Sequence, residues 1–420
     1  MPGPLLLQSL KAYRRLHHEQ RLPAHELAKR QDQRLQRIIL HAYEHTPHYR
    51  QAFDEAGVRP EHIRSKEDLV RVPLLKREHL RSISSRIAQS ADAPALHSSF
   101  TSGSTAEGAR TYFDSEAWLL SKYLIKLRAR LACGVHPWDR IAQFQWIPNR
   151  DTFFQRRVLR QKSFGIDRDF GEVLAEARRY APTVLYGFPG YLQKFGEFSR
   201  GALKARLVFT SGEMLSAKMR EAIETAYGAT VYDIYGCTEM KEIAWECEER
   251  NGYHMNADWL VVESLAEPFQ GEPAGSLVVT SLYNHAMPLI RYVIGDIGHL
   301  VDGQCPCGRT LPLMAPDTGR AVDYVVLRDG REVSPYTVMT PVEALSGVAQ
   351  FEILQEEIDH VLVRVVPSAS WEEMTRDMIH RSMNEILPGV RIEIALVDRI
   401  EQQYSGKYRI VQSRVARHSR

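Results

Sequence analysis

Apolar residues recur at helical spacing through the first 90 positions, with Arg, His, Gln and Glu between them; Leu35, Ile38, Ile39, Ala42 and Tyr43 form one such stripe. That period buries one face of a helix and leaves the other charged and solvated, so residues 1–90 are predicted to be mainly helical. Beyond residue 140 the pattern changes. Short β-branched or apolar runs at Thr183–Tyr186, Leu207–Thr210, Thr230–Tyr235 and Ser276–Thr280 alternate with helix-like segments such as Ser216–Tyr227. Such alternation predicts βαβ units and a largely parallel sheet covered by helices. After Gly319 the pattern predicts strands near Asp323–Leu327, Gln350–Leu354, His360–Val366 and Val390–Val397, and a helix around Trp371–Ile386. The expected fold class is therefore α/β: a large domain over residues 1–318 and a small α+β domain over 319–420.

The composition narrows the class of function. The 420 residues are enough to bury a sizeable core, and the chain is 44% hydrophobic and 25% charged, as soluble globular proteins are. A formal net charge of +2 gives no electrostatic reason to expect nucleic acid as a partner. The basic residues of the first 90 positions are interleaved with acidic ones and read as a solvated helix surface. No apolar run approaches the roughly 18 residues that suggest a membrane span. The N-terminus shows no small-residue cleavage signature, and five cysteines do not resemble a secreted disulfide framework. These features point to the cytoplasm, with no membrane partner.

Four short segments carry candidate chemistry. In Thr101-Ser102-Gly103-Ser104-Thr105, hydroxyls around a glycine can wrap phosphate oxygens, although no Gly-Lys-Ser/Thr ending follows, so this is not a Walker-type loop. Asp233-Ile234-Tyr235-Gly236-Cys237-Thr238-Glu239 follows an apolar strand, and loops at the carboxyl ends of strands are where ligands sit in open α/β sheets. It offers two carboxylates, an aromatic face and a hydroxyl within seven residues. In Arg291-Tyr292-Val293-Ile294-Gly295-Asp296 a carboxylate that could accept ribose hydroxyls ends a strand-like run. In Ser405-Gly406-Lys407-Tyr408-Arg409 a lysine on a glycine-containing loop can reach a phosphate or carboxylate as a point charge. Taken singly, each also reads as a turn, a strand cap or a surface loop.

In order and spacing, the four segments resemble the adenylate-forming superfamily of acyl-CoA synthetases, and within it the phenylacetate–CoA ligase branch with its capsule-biosynthesis-type relatives. The resemblance runs from about residue 30 to the end and includes the Tyr-Gly-x-Thr-Glu core, the Arg-Tyr…Gly-Asp element, Gly319-Arg320 and the late Ser-Gly-Lys. It implies ATP-dependent activation of a carboxylic acid to acyl-AMP, release of pyrophosphate, and displacement of AMP by a nucleophile, with coenzyme A as the foremost acceptor. It also implies a small C-terminal domain that rotates about a hinge, and it leaves room for a homodimer. Ser102, Gly103, Ser104 and Thr105 would cradle the triphosphate. Asp233, Tyr235 and Gly236 would hold the adenine, with Ser211, Gly212 and Glu213 also at the nucleotide. Thr238 would touch the α-phosphate and Glu239 would hold Mg²⁺. Asp296 and Arg320 would bind the ribose, and Lys407 would bridge the carboxylate and the α-phosphate. Phe144, Trp146, Tyr186 and Phe188 lie where they could line the acid pocket, suiting an aryl or otherwise flat acid; plain core is the other reading of these rings. Two positions depart from the family pattern. Ala106-Glu107-Gly108-Ala109 follows the hydroxyl-rich loop where a glycine and a Pro-Lys or Pro-Thr pair are usual, and Val322 precedes Asp323 where the hinge commonly carries charge.

Cys247, His254, Cys305 and Cys307 form two clusters, the second on a tight Cys-Pro-Cys-Gly turn. Zinc takes four such ligands in a tetrahedron, and Cys₃His is a common structural set. Separate, unligated thiols are the alternative from spacing alone; the resembled branch, which carries zinc at a corresponding cluster, implies a closed structural site. Three competing readings remain open at this level. One is a zinc-containing binding module on an α/β scaffold. Another is an adenylating ligase that passes the acyl group to an amine, a hydroxyl or a carrier protein. The last is a degenerate homologue that binds nucleotide without turnover.

Overall fold

The computed structural model describes residues 11, 13–90, 93–100, 110–145, 151–157, 159–320, 324–333, 335–343, 345–400 and 410–415. The chain forms two compact units, one of Met1–Pro137, Tyr232–Ile294 and Gly298–Pro316, the other of Trp138–Val231, Gly295–Ile297 and Asp317–Arg420.

In the first unit the helical pattern of the early residues becomes the helices Ala24–His45, Pro47–Glu55 and Arg77–Ala88. The stripe Leu35, Ile38, Ile39 and Ala42 is fully buried, as the period requires. These helices pack on strands ordered Leu260–Ser264, Ser276–Ser281, Tyr292–Val301, Leu313–Arg320, Tyr253–Met255, Lys241–Glu246 and Thr230–Cys237. Several polar groups inside this core are paired. The Tyr49 hydroxyl donates to the Pro288 carbonyl and accepts from the Ile290 N–H, both at 2.9 Å. Gln31 donates from Nε2 to the carbonyls of Ala257 (2.7 Å) and Leu260 (2.8 Å). Arg128, 1% exposed, donates to both oxygens of Asp258 at 2.5 and 3.1 Å and to Asn256 Oδ1.

The second unit opens with strands ordered Leu207–Ser211, Val184–Gly187, Ile141–Gln145 and Gln161–Gly165. They pair in parallel where 141–145 meets 161–165 and 184–187, and where 184–187 meets 207–211. Parallel strands need crossovers, and the helices Phe170–Tyr180, Pro189–Ser199 and Ala217–Tyr227 supply segments of them. The predicted helix 216–227 starts where Ser216 accepts from the Met219 N–H, and ends at Gly228 with φ +64°. Further along, Arg391–Leu396, His360–Pro367, Val348–Glu357 and Val411–Ser413 form a four-stranded sheet, and the helix Glu373–Ile386 packs against it. Val361, Val363 and Val365 alternate into its core. This is the mixed α/β class that the pattern predicts. Among the described residues no helix is long and apolar enough to cross a membrane.

Breaking a buried ion pair on one side strands the other charge. Arg128→Met is therefore expected to lower unfolding free energy in urea by about 3–5 kcal/mol. The double variant Arg128→Met/Asp258→Leu should recover most of that loss.

Candidate active site and metal centre

The strand Thr230–Cys237 turns back antiparallel into Lys241–Glu246, pairing Cys237 with Lys241 and Gly236 with Glu242, with a bulge between Tyr235 and Gly236. The turn is tight because residue 236 has no side chain. A Cβ there would lie 2.0 Å from the Lys241 carbonyl oxygen and 3.1 Å from the Glu242 Cα, so only glycine fits. The bulge and turn place Asp233, Tyr235, Gly236, Thr238 and Glu239 on one hairpin.

The two carboxylates of that hairpin are held differently. Asp233 is buried, its Oδ2 accepting from the Tyr253 hydroxyl at 2.9 Å, while its N–H donates to Glu246 Oε2 at 2.8 Å. Glu239 is also buried, and its Oε1 accepts from the Tyr292 hydroxyl at 3.0 Å. Burial, and then the Glu239 carboxylate, raise the Tyr292 pKa, so that hydroxyl stays a donor. Among the described residues nothing is bonded to Glu239 Oε2. One oriented carboxylate oxygen suits Mg²⁺, which keeps several waters and takes its other ligands from substrate phosphates. Tyr235 and Thr238 are half-buried on the same hairpin.

In the second unit Ser211 ends the strand Leu207–Ser211, Gly212 follows at φ +85°, and Glu213 Oε2 accepts from the Gly190 N–H at 3.0 Å. Tyr186 and Phe188, both half-buried, lie at the carboxyl end of the neighbouring strand Val184–Gly187. Phe144 is 1% exposed, with Phe164, Tyr191 and Phe195 at ring-centroid distances of 5.4, 5.4 and 5.3 Å; it packs in a core cluster. Asp296 lies within the strand Tyr292–Val301 directly after Gly295, whose φ is +87°. Arg320 is the last residue of Leu313–Arg320. Ser102, Gly103, Ser104, Thr105, Trp146 and Lys407 lie outside the described residues.

Some contacts have no motif of their own. Tyr253 and Tyr292 hold the two carboxylates, and only the place of Tyr292 in the Arg-Tyr…Gly-Asp element hints at a role. Lys241, two residues beyond Glu239, donates to the Ser99 hydroxyl.

Cys247, His254, Cys305 and Cys307 come together with their ligand atoms all within 4.8 Å of one another. The Cys247 and Cys305 sulfurs are 3.5 Å apart, and Cys307 Sγ is 3.3 Å from His254 Nε2. A zinc tetrahedron with Zn–S near 2.3 Å and Zn–N near 2.0 Å has edges of about 3.5–3.8 Å, so the donor set fits that ion. The His254 ring is fully buried and points Nδ1 at the Leu311 carbonyl at 3.4 Å, leaving Nε2 for the metal. Burial pulls His254 down to about 4, which keeps the imidazole neutral as a ligand must be. Burial also pushes the Cys247 thiol up to about 12 and raises Cys305, whereas burial at Cys307 is outweighed by hydrogen bonds from Arg309, which lower it; a dication would favour the thiolate at all three.

The CapK C-terminal domain family matches residues 325–414. The phenylacetate-coenzyme A ligase of Thermus thermophilus is 30% identical over 354 residues, covering 77% of this chain and 76% of that enzyme. The Escherichia coli phenylacetate-coenzyme A ligase is 27% identical over 407 residues, covering 89% and 91%. Among solved structures, 2-hydroxyisobutyryl-CoA ligase in complex with 2-HIB-AMP in the postadenylation state superposes with a TM-score of 0.79 at 25% identity, covering 94% of this chain and 91% of that one. With its nucleotide motifs in family order and a relative matched at that identity over three quarters of its length, the chain belongs to the phenylacetate–CoA ligase family of AMP-forming, adenylate-forming ligases.

Proposed function

We propose that this ligase activates an aryl or similarly flat carboxylic acid with ATP and passes the acyl group to coenzyme A, using the residues that its motifs bring to the site. A carboxylate oxygen of the acid attacks the α-phosphorus, the bond to the β-phosphate oxygen breaks, and pyrophosphate leaves. The coenzyme A thiol then attacks the acyl carbon and AMP departs with the bridging oxygen. Asp233 and Tyr235, with Gly236, hold the adenine, Thr238 the α-phosphate, and Asp296 with Arg320 the ribose. Ser102, Gly103, Ser104 and Thr105 hold the triphosphate, and Ser211, Gly212 and Glu213 border the nucleotide. Glu239, oriented by Tyr292, would hold Mg²⁺, which offsets phosphate charge when bound. Lys407 stabilises the charge that develops between carboxylate and α-phosphate. Tyr186 and Phe188, with Trp146, border the acid.

The observation that supports these roles most is the Gly236 hairpin, whose two carboxylates are separately held by Tyr253 and Tyr292 in a chain of this family. We also propose that residues 319–420 act as the small mobile domain; the match over 325–414 and a core of its own from Val325 to Val411 support this. A structural zinc at Cys247, His254, Cys305 and Cys307 is part of the same reading.

Acid-dependent pyrophosphate release from Mg·ATP, measured across aryl and alkyl acids with and without coenzyme A, tests the chemistry. Release is expected with at least one acid, AMP formation should be stimulated by coenzyme A, and Lys407→Ala should slow the reaction by about 10²–10³. An acyl-AMP that coenzyme A leaves untouched but an amine, hydroxyl or carrier thiol consumes would reassign the acceptor. For the metal, elemental analysis of the purified protein should give one zinc per chain. Cys305→Ser should lose it and lower the melting temperature by roughly 5 °C or more. Metal-free protein with the same melting temperature would refute the zinc site.

A further inference from the structure

Residues 319–420 are the proposed mobile domain, yet one of their helices is tied to an element of the parallel sheet region. Within the second unit the helix Pro335–Glu343 ends on Glu343, which meets the start of the helix Ala217–Tyr227. The buried Ser216 hydroxyl caps the latter helix by accepting from the Met219 N–H at 3.1 Å, and it donates its own proton to Glu343 Oε1. In the other direction Lys218 Nζ donates to the Glu343 main-chain carbonyl at 2.6 Å. Half-buried Met214 packs against the apolar cluster that runs from Val325 to Val411.

The charges are favourably placed on both sides. A carboxylate lies at a helix N-terminus, where unpaired N–H groups leave partial positive charge. An ammonium lies at a helix C-terminus, where unpaired carbonyls leave partial negative charge. The contact is nevertheless small, with Lys218 exposed and Glu343 half-buried. A hydrogen bond to a charged group biases a two-state equilibrium by about tenfold or somewhat more, which is enough to favour one orientation without locking it.

The place of the contact in the chain gives it a role. Met214 and Ser216 follow Ser211-Gly212-Glu213, the stretch assigned to the nucleotide. While the contact is made, the domain that carries Lys407 is held against the segment bordering ATP.

We propose that Glu343 is a positioning residue for adenylation: with Ser216, Lys218 and Met214 it latches residues 319–420 beside the nucleotide-bordering segment, and the latch opens before coenzyme A attacks. This rests on the reading of residues 319–420 as a mobile domain.

Single-molecule energy transfer in the full-length protein tests it, with dyes at Glu221 and Arg381, exposed on the helices Ala217–Tyr227 and Glu373–Ile386. Wild type is expected to populate mainly one distance, and Mg·ATP should enrich it. Glu343→Ala should shift the population ratio about tenfold toward a second distance. Lys218→Met should shift it in the same direction. Glu343→Gln, whose amide oxygen still accepts from Ser216, should keep much of the wild-type ratio. A folded Glu343→Ala protein with the wild-type distribution overturns the latch; should that variant not fold, an unshifted Lys218→Met does so. Mg·ATP that depletes the first distance also overturns the assignment, since the contact would then belong to the other half-reaction. If Mg·ATP or coenzyme A moves the distance while the substitutions change nothing, the domain moves and only the latch is refuted. One distance that no ligand and no substitution alters refutes the mobile-domain reading and the latch with it.

Discussion

The close backbone contact between Gly236 and Lys241 is the constraint on which the rest of the site depends. With room for no Cβ at residue 236, two strands meet at a distance that only glycine allows, and a bulge absorbs the mismatch. A turn so short fixes the relative positions of Asp233, Tyr235, Thr238 and Glu239 without relying on long side chains. Tyrosines from two other strands of the sheet then set the two carboxylates. Tyr253 reaches Asp233 and Tyr292 reaches Glu239, each through one hydroxyl. Catalysis of phosphoryl and adenylyl transfer is largely positioning and charge stabilisation, so a rigid hairpin with few degrees of freedom is a suitable platform for it.

The far end of the same hairpin runs into the Cys/His cluster. Cys247 follows the strand Lys241–Glu246 directly, and His254 lies on the next strand, whose Leu313 partner belongs to the segment following the Cys305–Cys307 turn. One ion held by these four groups would tie three chain segments together. The cluster and the candidate site are thus linked through one strand, and an ion held there would contribute to the stiffness of the platform.

Much of the fold could be read from periodicity. The strand run at 207–210 appears as Leu207–Ser211, the run at 276–280 as Ser276–Ser281, and the helix at 216–227 as Ala217–Tyr227. Local period and capping residues act within a few positions, which is why they are visible in one sequence. The Cys₃His grouping could be read too, because zinc chemistry restricts ligand types and spacing. Pairings that depend on long-range packing were not legible. Nothing near Asp233 announces Tyr253, and nothing near Lys241 announces Ser99, 142 residues away. Phe144 shows the same limit from the other side, since a ring in an apolar run reads alike whether it lines a pocket or, as here, packs among Phe164, Tyr191 and Phe195. The roles given to Ser102–Thr105 and Lys407 stand on motif order.

The central claim is that an oxygen of the acid becomes bonded to the α-phosphorus of ATP. Carboxyl-¹⁸O-labelled acid, turned over with Mg·ATP and coenzyme A and followed by mass spectrometry of the products, tests this most directly. The account predicts one ¹⁸O in AMP and none in pyrophosphate. Label in inorganic phosphate with ADP as the second product, or AMP free of label, would contradict it.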